Sequence, residues 1–177
     1  FRRVLFRSAS AVFPDTELAN PKAREFGCDP DYNAWTGRRN PRPNAVDPNL
    51  RSSGGHIHIA APFSPQLLAR ACDLFIGVPS VLVDPDKDRR QLYGQAGCFR
   101  PKKYGMEYRT PSNFWLKSED LTRWVFGAAH AAVHFTEHDM EAYDHLEGDA
   151  DRIQECINTS NEKLALEVMH TYGVLHP

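Results

Sequence analysis

The chain has 177 residues, of which 41% are hydrophobic and 25% charged. Its 21 basic and 23 acidic side chains give a formal net charge of -2. That length suits one domain with a buried core, and the balanced charge gives no reason to expect a nucleic-acid or membrane partner. No apolar run approaches the length of a membrane-spanning helix, and no apolar secretory stretch follows the basic start.

The four cysteines, Cys28, Cys72, Cys98 and Cys156, form no CxxC pair. A zinc ribbon is therefore not expected, and reduced cytosolic thiols are the simplest reading.

Residues 1–8, FRRVLFRS, do not resemble the opening of a domain. One choice of codons for them matches a widely used sequencing adaptor. They are expected to be translated adaptor, leaving residues 9–177 as the remainder of a truncated, metagenomic-type single-domain chain.

Residues 9–50 are rich in Pro, Asn and Asp and should be irregular and mostly at the surface. Phe26, Tyr32 and Trp35 within them suggest a loop that packs onto the domain. A long ordered loop of this kind is often functional.

GGHIHIA then reads as a strand. Ser64 and Pro65 make a helix start, with Leu67, Leu68, Ala71, Leu74 and Phe75 at helical spacing. Gly77 and Pro79 should kink or interrupt that helix. DPDKDRRQLYGQAG is polar and is expected to turn away from the core. YGMEYRT predicts a second strand, and Ser118 caps a helix whose first turn is acidic. A last helix covers NEKLALEVMHTYG and stops at Gly173. The pattern is α+β.

The two strands share one design. Side chains alternate along a strand, so His56 and His58 share a face while Ile57 and Ile59 share the other. Likewise Glu107 and Arg109 oppose Met106 and Tyr108. Gly54 and Gly55 allow close backbone approach just before the histidines. Imidazole and carboxylate suit a divalent cation, and arginine suits a phosphate. Metal, arginine and phosphate together are the parts of phosphoryl transfer. The plainer alternative is an ion pair on a solvated face.

RSSGGHIHIA, FGCDPDYNAW and VPSVLVDPDKDRRQLYGQAGCFRPKKYGMEYRTPSNFWL together resemble the phage-type carboxylate–amine ligases, amidoligase type 2, distant relatives of glutamine synthetase. The resemblance runs from about residue 11 to near the C-terminus. It implies an antiparallel sheet with a concave active-site face and helices behind it. It also implies ATP, Mg2+ or Mn2+, and an acyl-phosphate intermediate attacked by an amine. Residue by residue, it makes His56 and Glu107 metal ligands. His58 would face the nucleotide phosphates. Arg100 and Arg109 would carry catalytic charge at the phosphate, and Arg90, with Arg89, would be weaker candidates for nucleotide or carboxylate. Small-molecule or peptide substrates, a host-cytoplasmic location and a possible homo-oligomer follow from the same likeness. One departure stands out: no ExE-like strand precedes His56, since Asp15, Glu17 and Glu25 lie in a stretch without strand alternation. On this reading residues 9–177 are the C-terminal portion of the ligase domain, with an incomplete metal site and no activity alone.

Two rival readings remain open. His130, His134 and His138 share a helix face and would serve a metal-dependent hydrolase or metal-binding module, although HAAVH lacks the glutamate of a zincin motif. A partly buried, hydrogen-bonded helix face is the simpler expectation. The other rival is a non-catalytic interaction protein that keeps the fold. Phe114 and Trp115 could stack on adenine, but core packing is expected of them.

Overall fold

The computed structural model describes residues 9–25, 31–41, 47–139 and 141–177. Residues 1–8, Phe26 and Cys28 lie outside the described residues. In chain order the strands are β1 (Ser10–Val12), β2 (Tyr32–Asn33), β3 (Leu50–Ser52), β4 (Ile57–Ala60), β5 (Cys98–Lys102) and β6 (Gly105–Tyr108). β1 and β3 form a small antiparallel ribbon. The main sheet is antiparallel, in the order β2-β5-β6-β4. The fold is α+β, as the patterning predicts.

Both expected strands are present, as β4 and β6. β5 is an addition that CFRPK did not announce, because it has no clean alternation and carries a proline. Its register explains the proline. Arg109 N donates to Cys98 O at 2.8 Å, so the even-numbered residues of β5 bond to β6 and the odd-numbered ones face β2. Pro101 lies beyond the end of the two-residue β2, where its missing N–H breaks no ladder.

The helices are α1 (Pro21–Arg24), α2 (Pro65–Cys72), α3 (Val78–Ser80), α4 (Lys87–Leu92), α5 (Glu119–His138), α6 (Ala142–Gly148), α7 (Ala150–Thr159) and α8 (Glu162–Tyr172). The expected caps are in place. Ser64 Oγ accepts from Leu67 N, Ser118 Oγ accepts from Leu121 N, and Gly173 ends α8 with φ of 64°. The interruption expected at Gly77 and Pro79 starts earlier: α2 passes into a π-helix over Asp73–Gly77 before α3 begins. α6 and α7 were not foreseen.

The core forms where the apolar face of the sheet meets α2 and the turns that follow it. Ile59, Phe99, Met106 and Tyr108 are buried there with Leu68, Leu74 and Ile76. Ala34 and the half-buried Trp35 join this core, so the N-terminal segment does pack onto the domain, but β1, α1, β2 and the start of β3 make it less irregular than its composition predicts. Cys72, Cys98 and Cys156 are buried free thiols.

The polar segment after residue 83 runs against expectation. It turns inward, and Asp84, Asp86, Arg89 and Arg90 are all buried. The interior accepts them because most of their charged and polar atoms are answered. Asp86 caps α4 by accepting from Arg89 N at 3.0 Å. Arg89 donates to the carbonyls of Ser53, Thr110 and Arg109 at 3.0, 2.7 and 2.9 Å. Arg90 lies 3.7 Å from Asp84 and donates to Ser80 Oγ at 3.2 Å.

Candidate active site

The sheet register assembles the polar face. His58 is directly opposite Glu107 across β4 and β6, and Arg100 is directly opposite Glu107 across β5 and β6. These three residues therefore form one row across three strands. His56 and Arg109 lie one step along the same face, and Lys102 lies one step in the other direction.

Glu107 is the centre of this face and is buried. Its Oε1 accepts from a terminal nitrogen of Arg109 and lies 3.0 Å from His56 Nδ1. Its Oε2 is 2.8 Å from Lys102 Nζ and 3.8 Å from Arg100 Nη1. Burial pushes its pKa up, but the hydrogen bonds from Lys102 and Arg109 and their charges outweigh it and hold the carboxyl at about 2.

His56 responds in the opposite sense. Burial, and then the positive charge of Arg109, lower it to about 4 against the pull of Glu107. It is a neutral imidazole near pH 7. Its Nδ1 is also 3.3 Å from Arg109. A neutral ring either donates from that nitrogen to Glu107 or accepts there from Arg109.

Arg109 is shared in turn. Its Nε donates to Asp31 Oδ2 at 2.9 Å, and Asn40 Nδ2 donates to Asp31 Oδ1 at 2.8 Å. Burial pulls the pKa of Arg109 down, but Glu107 and Asp31 raise it further. His58 is exposed, with Nδ1 2.5 Å from the Tyr104 hydroxyl. With His56 neutral, Arg100, Lys102 and Arg109 face Glu107 and Asp31. The face keeps a surplus positive charge suited to an anion such as phosphate.

The glycine pair makes this placement possible. A Cβ on Gly55 would lie 2.2 Å from the Ser112 carbonyl oxygen, and one on Gly54 would lie 2.6 Å from His56 Nε2. The loop thus runs flush against residues 112–115, and the His56 ring folds over Gly54.

Arg89 is buried against backbone carbonyls, close to the His56 ring: a Cβ on Gly54 would lie 2.8 Å from its Nη2 and 2.6 Å from His56 Nε2. Other expected residues lie elsewhere. Arg90 is buried beside Asp84 and Ser80. His130, His134 and His138 are exposed on α5 rather than partly buried. His130 meets Phe126 edge-on, and His134 and His138 stack at 4.2 Å. Phe114 is core. Trp115 is half-buried and lines a groove of about 390 Å3 between β4 and α5, together with Ile57 and Phe126.

The family model described as Phage phiEco32-like COOH.NH2 ligase-type 2 matches residues 49–168. The chain belongs to this family. No curated protein and no solved structure matches it.

The matched part of the ligase carries His56, His58, Arg100, Lys102, Glu107 and Arg109. Asp31 precedes it. Sequence reasoning missed Asp31 and Lys102. Asp31 lies inside the quoted FGCDPDYNAW stretch, but its partner is 78 residues away. Lys102 reaches Glu107 only because β5 and β6 form a hairpin. Among the described residues no group of three or more His, Cys, Asp or Glu could hold a metal ion. Arg109 contacts both His56 and Glu107, the two donors a cation there would use. Among the described residues no helix is long and apolar enough to cross a membrane.

Proposed function

We propose that the ligase uses ATP to join a carboxylate to an amine through an acyl phosphate. A carboxylate oxygen of the acid substrate attacks the γ-phosphorus, and ADP leaves. The amine nitrogen then attacks the acyl carbon, phosphate leaves, and the amine gives up a proton. Each step moves negative charge on phosphate oxygens, so fixed positive charge is the main catalytic requirement.

The observation that carries this reading is the row His58–Glu107–Arg100, flanked by Lys102 and Arg109. In it Glu107 holds the cations at fixed positions. Arg100 and Arg109 are the proposed charge-stabilising groups at the transferring phosphoryl, and His58 is the proposed phosphate neighbour on the exposed side. His56 and Glu107 are the proposed donors to Mg2+ or Mn2+. Two donors fall short of the near-octahedral shell that magnesium takes, so the chain's own cations carry the charge stabilisation proposed here. Phage origin, small-molecule or peptide substrates and a cytoplasmic setting belong to the same proposal.

The experiment is calorimetric titration with ATP in magnesium buffer, paired with Arg100→Ala. The reading expects measurable affinity in the wild type. In the variant it expects about a tenfold loss at unchanged melting temperature, as for one lost charge-assisted hydrogen bond. No ATP affinity in the wild type would remove ATP from the proposal.

A further inference from the structure

Asp73 is the first residue of the π-helix, and its side chain is fully buried. Trp35 Nε1 donates to its Oδ2 at 2.6 Å, and the Tyr108 hydroxyl donates to its Oδ1 at 2.7 Å. Thr110 Oγ1 lies 3.4 Å from Oδ1. The surroundings are shaped to this contact. A Cβ on Gly77, four residues on, would lie 2.8 Å from the Tyr108 hydroxyl and 2.7 Å from Ile157 Cδ1. The π-turn brings Asp73 and a residue without a side chain to the same point beneath β6. Such turns inside helices often occur at functional sites.

Both donors belong to segments that carry the site. Tyr108 sits between Glu107 and Arg109 on β6. Trp35 ends the loop that begins at Asp31, and Asp31 accepts from Arg109 Nε. The contacts close a ring: Asp31 to Arg109, along the chain to Tyr108, through Asp73 to Trp35, and back along the loop to Asp31. Asp73 touches none of the site residues, yet it ties together the two pieces of backbone on which three of them depend.

We propose that Asp73 is a positioning residue that fixes Glu107, Arg109 and Asp31 relative to one another by holding Tyr108 and Trp35 at once. The inference rests on the reading of that face as the ligase centre. Trp35 Nε1 can only donate, so Asp73→Asn keeps the side-chain shape while placing an amide NH2 against one of the two donors. Tyr108 can reorient its hydroxyl to accept from that amide while the Asn oxygen still accepts from Trp35, so Asp73→Asn is the conservative variant that keeps both contacts. Asp73→Ala removes both, which frees the Asp31 loop and takes the fixed acceptor from Arg109 Nε.

The test compares wild type with Asp73→Ala, Asp73→Asn and Trp35→Phe by NMR of the Trp35 indole N–H and the Arg109 Nε–H. The expected result is a downfield Arg109 Nε–H signal in the wild type that is lost in Asp73→Ala and in Trp35→Phe and kept in Asp73→Asn. A loss of magnesium–ATP affinity of roughly tenfold, the lower end for outer-shell partners, should accompany it. An Arg109 signal that stays in place in folded Asp73→Ala would overturn the proposal, even if the variant melts earlier. Should Asp73→Ala fail to fold, an unmoved Arg109 signal in Trp35→Phe overturns it equally. The NMR result needs no nucleotide. If wild type binds no ATP, the ATP-dependent reading falls while the positioning result is still read directly.

Discussion

Arg109 Nε donates to Asp31 Oδ2 at 2.9 Å, joining the end of β6 to a loop 78 residues earlier in the chain. Both side chains are buried, so the pair is screened little by water. Removing one partner from a buried pair leaves the other poorly compensated. Here Glu107 still faces Arg109, which softens the loss. Asp31→Asn is expected to cost about 1–3 kcal/mol in urea unfolding, the range for a lost charge-assisted hydrogen bond. Asn40→Ala, which removes only the support behind Asp31, should cost less.

The pH dependence of stability should carry two opposed contributions. His56 falls from 6.5 to about 4 in the folded state. The unfolded chain therefore takes up the proton first, and stability is lost as pH falls from 6.5 towards 4. The loss is up to about 3 kcal/mol. Asp73 rises from 3.8 to about 7, because burial outweighs the hydrogen bonds it accepts. Its contribution runs the other way: the folded state holds the proton longer, and stability is lost as pH rises from 3.8 towards 7. His56→Gln should remove the first slope and leave the second exposed in denaturant midpoints measured from pH 4 to 7.

Gly55 and Gly127 should respond in opposite directions to alanine. A Cβ on Gly55 meets backbone oxygen at 2.2 Å, whereas one on Gly127, inside α5, meets nothing within 4 Å. Gly127→Ala is expected to stabilise by about 0.5–1 kcal/mol, the helix-interior difference between the two residues. Gly55→Ala should destabilise by roughly 1–3 kcal/mol, as overpacking does. Thermal melts of the two variants side by side give the contrast.

Arg89→Lys should be costly despite conserving charge. The guanidinium serves three carbonyls on two segments, and a single ammonium cannot reproduce that planar fork. A cost of about 2–4 kcal/mol follows if buried acceptors go unpaired, at 1–3 kcal/mol each before relaxation. The readout is urea unfolding.

What the sequence revealed and what it hid follow from range. The alternation in HIHIA and MEYR is local, and it correctly placed His56, His58, Glu107 and Arg109 on one face. The helix caps at Ser64, Ser118 and Gly173 are also local. The hidden features depend on partners far along the chain. Asp31 looked like one more loop carboxylate until Arg109 met it. Arg89 and Arg90 looked solvated because nothing nearby shows the carbonyls, the hydroxyl and the carboxylate that wait for them. Asp73 is a polar residue on a helix, and only the fold brings Trp35 and Tyr108 to it.

The hairpin between β5 and β6 turns on two residues, Lys103 and Tyr104, with Lys102 paired to Gly105. Gly105 has φ of 150° and lies so close to β4 that a Cβ would be 2.2 Å from Ile59 O. That short turn fixes which residues of β6 face Arg100. One residue gained or lost there would slip the strand by one position and exchange its faces, sending Glu107 towards the core and Met106 or Tyr108 into solvent. In any collection of natural or mutagenised sequences of this chain, length changes at residues 103–104 should therefore be purged as strictly as substitutions of Glu107 itself.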